Sequence, residues 1–429
     1  MKLSKFNIEE ELGDNLVIYN SLSSGILMLN EEYSNSYKTF KKTGVCDRND
    51  LIAEFKRGGM IVDDDINEVE ALNVASLNSR FNTNVLGLTI APTLKCNFAC
   101  PYCFEEGYRQ NSMDELAKAK VIEFVKRKTD NISSLTVCWY GGEPLLQLKT
   151  IEHLTNEFKN NLKDNMSYTS SIVTNGYNLT KKVALKLKEL DITRAQVTVD
   201  GPPDIHDKRR VLLNGQGSFE RIFENIKNTH SIITISIRIN VDKTNINRVD
   251  EILDYLENNG LKNKVSFYLA CVEDSANSCT NPDCFETKEF SIEEIGFYKR
   301  ALNRGFNSIY IPSSNIGICG AVSNNSYVID PKGDLYKCWN EIGRAEEKVG
   351  DVFNGVKYNE KMTKWLLYNP LSNTDSKCAN CTVLPVCFGG CPYITMKEKE
   401  GQCSSIRYNA RHIISLLSNL KKADDLMKI

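Results

Sequence analysis

Between residues 86 and about 270, short apolar runs alternate with segments whose apolar residues recur at three- and four-residue spacing. The first pattern predicts strands and the second amphipathic helices. GLTIAPT (87–93) is a strand and MDELAKAKVIEFVKRK (113–128) a helix. SLTVCWYGGEP (134–144) is a strand ending in glycines, and IEHLTNEFKNNLK (151–163) a helix. SSIVTNG, AQVTVDGPP, ITISIRINV and VSFYLACVED continue as strands, separated by the helical stretches TKKVALKLKEL, FERIFENIKN and VDEILDYLENN. Six β/α steps imply a parallel α/β sheet with right-handed crossovers. They suit a partial (β/α)6 barrel of TIM type better than a closed eight-step one. Chemistry in such barrels sits at the carboxyl ends of the strands. The unusual residues fall there: Cys96, Cys100 and Cys103 after the first strand, Gly141-Gly142-Glu143 after the second, Thr174-Asn175-Gly176 after the third and Asp200-Gly201 after the fourth.

Residues 1–84 form a separate pattern. LVIYN and GILMLN read as strands around the turn SLSS, followed by two helices, EEYSNSYKTFKKTG and DRNDLIAEFKRGG. The second helix has an Asp cap in front and glycines behind. MIVDDDINE is a short strand with an acidic end. Strands plus helices here resemble a winged helix. Nine Lys/Arg stand against fourteen Asp/Glu in residues 1–80, a net of −5. A DNA reader is basic, so this module does not read as one. Residues 271–318 form a bridging region with a helix around SIEEIGFYKRALNRG and a further strand. Residues 319–429 are cysteine-rich and loop-rich, closing on a helix in IRYNARHIISLLSNLKKADDL.

Composition sharpens the reading at one point. Hydrophobic content of 41%, charged content of 25% and a net charge of −2 are ordinary for a globular protein and give no electrostatic case for nucleic acid or membranes. The N-terminus lacks an apolar core like that of a signal peptide, and no apolar run approaches a membrane span; the expected location is cytoplasmic. Fifteen cysteines are then anomalous. In a reducing compartment they point to metal or catalysis.

Cys96, Cys100 and Cys103 stand within eight residues with no His nearby. One reading is a zinc knuckle with a distant fourth ligand. The better one is an iron–sulfur cluster whose fourth iron stays open for a ligand. The stretch CNFACPYCFE, with Tyr102 before its last cysteine, resembles the radical S-adenosylmethionine (radical SAM) superfamily. That resemblance implies a [4Fe-4S] cluster chelated by the amino and carboxylate groups of SAM, whose reductive cleavage yields a 5′-deoxyadenosyl radical. Gly141, Gly142, Glu143 and Pro144 match the motif for the SAM amino group. Glycine suits a place where backbone approaches a ligand with no Cβ between. Thr174, Asn175 and Gly176 match the region contacting ribose and methionine. Arg238 is a candidate for the SAM carboxylate, or else a salt-bridged barrel arginine.

Cys319, Cys338, Cys378, Cys381, Cys387, Cys391 and Cys403, with Gly333 between the first two, resemble the SPASM pattern of peptide- and protein-modifying radical SAM enzymes. It implies two auxiliary [4Fe-4S] clusters, three in all. One would take Cys378, Cys381, Cys387 and Cys403, the other Cys319, Cys338 and Cys391. The latter lacks a fourth ligand; where some relatives carry a cysteine, this chain has Ser313. Cys279, Cys284 or a substrate thiolate are the candidates. Anaerobic sulfatase maturases are similar in both cluster regions but carry an aspartate base after the equivalent of Cys338. Here that residue is Trp339, which puts sulfatase maturation in doubt.

The N-terminal module resembles the RiPP recognition element, which binds leader peptides of ribosomally made precursors by adding a strand to a sheet edge. The implied enzyme is a cytoplasmic peptide maturase with a flavodoxin- or ferredoxin-type electron donor, binding neither nucleic acid nor membrane. Its favoured product is an intrapeptide thioether, as in sactipeptide and ranthipeptide maturases. A carbon–carbon crosslink or an epimerised residue is the alternative, with Cys271, Cys279 or Cys284 as hydrogen donor. A non-enzymatic, zinc-stabilised peptide-binding protein is the reading from another class. No catalytic residue is assigned. Asp200 and His206, in a stretch with Gly201, Pro202, Asp207 and Arg209 common in SPASM maturases, are candidates, although a capped surface loop is expected there.

Overall fold

The computed structural model describes every residue except 47, 104, 106–110, 273–282, 308–311, 317–318, 373–375, 399–402, 421–426 and 429, with backbone alone for 398, 419–420 and 427–428. Five strands and three helices fill residues 1–81: β1 (Lys2–Leu3), β2 (Asn7–Leu12), β3 (Asn15–Asn20), β4 (Ile26–Leu29), α1 (Glu31–Thr43), α2 (Asn49–Gly58), β5 (Ile61–Val62) and α3 (Glu68–Phe81). Asn30 caps α1 by accepting the Tyr33 N–H at 3.1 Å. The expected Asp cap of α2 is not what stands there: Arg48 occupies the N-cap without a capping bond, while Gly59 closes the other end in the left-handed region at φ 73°. The sequence pattern also missed β2 and α3.

The six predicted strands are β6 (Val85–Ile90), β7 (Ser134–Trp139), β8 (Ser167–Thr174), β9 (Ile192–Thr198), β10 (Thr234–Val241) and β11 (Ser266–Cys271). All neighbours among them pair in parallel. Between them run α4 (Glu115–Lys128), α5 (Leu148–Asn161), α6 (Lys181–Glu189), α7 (Pro203–Arg209), α8 (Phe219–Thr229) and α9 (Glu251–Asn258). One sheet face buries Leu86, Leu88, Ile90, Val137, Trp139, Ile237 and Ile239, each at 2% exposure or less. Each such side chain contributes about 1.5–3 kcal/mol of burial.

After α10 (Thr287–Asn303), the strands β12 (Ser326–Ile329), β13 (Asp334–Tyr336), β14 (Gly350–Asp351) and β15 (Gly355–Val356) extend the same sheet to ten strands. β12 adds in parallel beside β6, and the rest run antiparallel. α11 (Glu360–Leu367), α12 (Leu384–Cys387), α13 (Pro392–Glu398), α14 (Ile406–Leu420) and β16 (Met427–Lys428) complete the chain. The C-terminal third is thus more regular than its loop-rich composition suggests. The strand expected near residue 310 falls on residues outside those described.

Two compact units result. The first joins 1–80 to 286–319 and 369–429; the second joins 81–285 to 320–368. In the first, β3 is buried on both sides. Leu16 and Ile18 meet Tyr37, Phe40, Leu51 and Phe55 from α1 and α2. Val17 and Tyr19 meet Leu384, Phe388, Ile413 and Ile414 of the C-terminal segment. The four-stranded sheet runs β16-β4-β3-β2, with β16 parallel to β4. Among the described residues, no helix is long and apolar enough to cross a membrane.

Candidate functional site

The loop Cys96–Cys103 follows β6 and is stitched to the segment after α7. Ala99 donates to the Val211 carbonyl at 2.8 Å, and Leu213 donates to the Asn97 carbonyl at 3.0 Å. Phe98 lies fully buried opposite Leu212. Cys100 is buried; Cys96 and Cys103 are half-buried. Burial, with the nearby charges of Glu143, Cys100 and Cys103, pushes the Cys96 thiol up to about 12. The Phe98 N–H at 3.4 Å and the Asn175 amide at 3.9 Å approach its sulfur. Three thiols in one desolvated loop, with N–H donors on sulfur, fit an iron–sulfur group, which neutralises the thiolates such a site otherwise disfavours. Among the described residues, no three His, Cys, Asp or Glu side chains converge as the donors of a single ion would.

The glycines after β7 are also required by neighbouring backbone. A Cβ on Gly142 would meet the Leu94 and Lys95 carbonyl oxygens at 2.5 Å, and one on Gly141, where φ is +107°, would strike the Thr93 carbonyl. They let this turn lie against the backbone leading into the cysteine loop. Gly142 donates to Thr93 at 3.2 Å and Glu143 to Lys95 at 2.9 Å. Pro144 opens a 3₁₀ turn, with Glu143 as its cap.

Glu143 is fully buried. Its carboxylate accepts the Thr174 hydroxyl at 2.7 Å, the Asn175 N–H at 2.7 Å and the Leu145 N–H at 3.0 Å. Burial raises its pKa, against the pull of those donors. The Asn175 side chain donates to Asn97 at 2.8 Å. Glu143, Thr174 and Asn175 therefore join the ends of β7 and β8 to the cysteine loop.

The stretch from Asp200 is not a surface loop. Asp200 and His206 are both 0% exposed, and residues 203–209 are helical. The His206 Nδ1 accepts the Asp200 N–H at 3.2 Å. Its Nε2 faces Ser218 Oγ at 3.1 Å, and that hydroxyl donates to the Arg210 carbonyl at 2.7 Å. These partners assign the neutral tautomer with the proton on Nε2. Burial, with Arg210 and Arg209 alongside, holds the imidazole well below its usual pKa. Asp207 accepts the Ser218 and Phe219 N–H groups, both at 2.8 Å, at the start of α8.

Asp200 also accepts the Tyr102 hydroxyl. Arg210 donates to that hydroxyl at 2.9 Å, and Arg209 lies 5.1 Å from the Tyr102 ring centroid. Arg209 bridges Asp200 at 3.5 Å and Asp242 at 2.7 Å. Arg210 is the residue sequence reasoning missed. The double arginine of DKRR was the available signal.

Arg238 lies on β10 and donates to Asn240 at 2.8 Å. Tyr140, just past β7, has its pKa raised first by burial and then by Glu105; Arg238 and Cys103 also act on it. Trp339 stacks on Tyr140 with centroids 6.0 Å apart, and is half exposed. Cys271 ends β11, its thiol 3.5 Å from the Val272 carbonyl. Cys284 is disulfide-bonded, so in this state it offers no free thiol. Cys279 lies outside the described residues.

Of the C-terminal cysteines, Cys319, Cys378, Cys381, Cys387, Cys391 and Cys403 belong to the first unit and Cys338 to the second. Burial raises the Cys378 thiol, and Cys381 and Cys403 add to the effect. Burial, with Cys381 and Cys378 beside it, pushes Cys387 up to about 11. Arg407 donates to the Cys381 sulfur at 3.0 Å. Cys319 and Cys391 are exposed. Ser313 is exposed too.

A parallel sheet with a cysteine loop and a glycine turn at its strand ends defines a class: the protein is a radical SAM enzyme related to the SPASM-type maturases, and residues 90–269 match the radical SAM superfamily. A cysteine-type anaerobic sulfatase-maturating enzyme of Clostridium novyi (strain NT) is 27% identical over 338 residues, covering 71% of this chain and 87% of that protein. The radical SAM cyclopropyl synthase TigE of Paramaledivibacter caminithermalis is 23% identical over 425 residues, covering 90% and 87%. Among solved structures, native anSMEcpe with bound AdoMet superposes with a TM-score of 0.63 at 18% identity, covering 78% of this chain and 100% of that one. Streptococcus suis SuiB bound to its precursor peptide SuiA gives 0.54 at 15% identity, covering 94% and 98%. At these identities, the structural likeness speaks for the fold.

Proposed function

We propose that this protein is a peptide maturase that modifies a ribosomally made precursor, with an intrapeptide thioether as its product. The observation that carries the reading is the joining of three strand ends at one place: the cysteine loop, Gly141–Glu143 and Thr174–Asn175. Cys96, Cys100 and Cys103 would hold a [4Fe-4S] cluster, and the backbone of Gly141–Glu143 with Thr174, Asn175 and Arg238 would border SAM. When bound, that pair supplies a radical able to take hydrogen from an unactivated carbon. The protein's own groups orient and shield. Glu143 holds the two strand ends together, and Tyr102 ties the cysteine loop to Asp200. His206, neutral and internally satisfied, acts as a structural residue rather than an acid or base.

Cys378, Cys381, Cys387 and Cys403 would hold an auxiliary cluster, with Arg407 donating to one of its sulfurs. Cys319, Cys338 and Cys391 are assigned to a further one by the SPASM resemblance. Residues 1–84 would bind the leader as an added strand. In support, the β4 edge accepts one, for β16 already pairs there. The acidic strand β2 suits a leader carrying Lys residues. A flavodoxin or ferredoxin would supply electrons.

A second reading, a carbon–carbon bond, is favoured by the similarity to a cyclopropyl synthase across 90% of the chain. Both products leave the peptide two hydrogens lighter. Alkylation of the modified peptide separates them. A thioether consumes one cysteine thiol, whereas a carbon–carbon link leaves the thiol count unchanged and would replace the thioether assignment.

A further inference from the structure

We propose that Arg210 is a positioning residue that sets the reduction potential of the cluster on Cys96, Cys100 and Cys103, by fixing a buried positive charge against the cysteine loop. This rests on the cluster assignment given above.

Three observations place that charge. Arg210 caps α7, donating its backbone N–H to His206 at 2.7 Å. It directly precedes Val211–Leu213, whose backbone pairs with Asn97 and Ala99. The side chain is 9% exposed; its Nη1 donates to Tyr102 at 2.9 Å, and its Cζ lies 5.6 Å from the Phe98 ring centroid. Both aromatic residues belong to the cysteine loop.

Hydrogen bonding alone does not account for this guanidinium. Its Nε is buried without a partner. A buried donor left unmade is costly and calls for a reason. Charge supplies one. Asp200, Asp242 and Glu143 are the carboxyl groups facing Arg209 and Arg210 beside the thiolates. Without Arg210 this group carries one positive charge fewer. Burial disfavours the guanidinium's charge, yet Tyr102, Cys100 and Asp200 hold its pKa above the ordinary value. Reducing a cluster adds a negative charge to it, and a fixed cation nearby favours that state.

The test is an EPR-monitored redox titration of the full-length, reconstituted protein, following the signal component that changes when SAM is added, with iron and sulfide counted per chain. Arg210→Gln should lower the reduced-to-oxidised ratio at a fixed applied potential about tenfold, ~59 mV for one electron. Arg210→Lys keeps the charge and should stay within about threefold of the parent. Tyr102→Phe removes the hydrogen bond but not the charge and should also stay close to the parent. The proposal is overturned if Arg210→Gln titrates with the parent at full iron content. It is equally overturned if the Lys and Gln variants shift alike, because a purely structural role would act through both. If the parent itself binds no iron through these cysteines, the cluster assignment falls first.

Discussion

The Glu143 carboxylate accepts the backbone N–H of Asn175 at 2.7 Å, while the Asn175 side chain reaches Asn97 in the cysteine loop. A single buried acid thus links the glycine turn after β7, the end of β8 and the cysteine triplet. Glu143→Ala would leave two backbone N–H groups, of Leu145 and Asn175, and the Thr174 hydroxyl without their acceptor, at about 1–3 kcal/mol each. We expect SAM affinity, measured by equilibrium dialysis, to fall at least about tenfold while iron content holds. Unchanged affinity would remove Glu143 from the SAM site.

Trp339 stands directly after Cys338 and stacks on Tyr140, whose electrostatic neighbours include Cys103 and Arg238. Half-exposed, it contributes little to folding: Trp339→Ala should shift stability by less than about 1 kcal/mol. We expect the KM for precursor peptide to rise severalfold, with peptide-independent SAM cleavage unchanged. A KM equal to that of the parent would show that the stack does not border the peptide.

Much of the second unit was legible because its strands carry buried β-branched runs and its helices a clear apolar face. The missed elements lack those signals. β2 reads NIEEEL, and its glutamates hide a strand. The buried side of α3 is Glu68, Leu72, Ser76 and Arg80, helical spacing with a single hydrophobic residue. α7 begins at a Pro-Pro pair, which reads as a surface loop. Cysteine spacing identified a SPASM-like set but carried no information on compact units: residues 320–368 extend the parallel sheet, whereas 369–429 share a core with the N-terminal strands. The glycine motif was legible from its residues, but its packing against the Thr93–Lys95 backbone was not.

Asp330 gives a pH signature. It is 3% exposed, and burial pushes its pKa up to about 6 from 3.8, although the Lys332 and Asp334 N–H groups bond to it. The folded state therefore binds the proton more tightly than the unfolded one. Its contribution is fully present below about pH 4 and is lost as pH rises through 6. Asp330→Asn keeps an acceptor without the charge. Its stability relative to the parent should improve between pH 4 and 7, by up to ~3 kcal/mol. Parallel stability curves for parent and variant would contradict this.

The edge of β4 is paired with β16. If the leader adds its strand there, deleting residues 421–429 should tighten leader binding at least about threefold in fluorescence anisotropy. Equal affinity would exclude that edge as the leader's place.

The most direct test of the peptide-maturase assignment combines two readouts in one anaerobic reaction. Reconstituted, reduced protein is incubated with SAM and a cysteine-containing precursor peptide, and 5′-deoxyadenosine and peptide mass are measured together. The account predicts 5′-deoxyadenosine in step with a peptide two hydrogens lighter and one free thiol poorer. Full iron loading with no SAM cleavage, or cleavage that leaves the peptide unaltered, would contradict it.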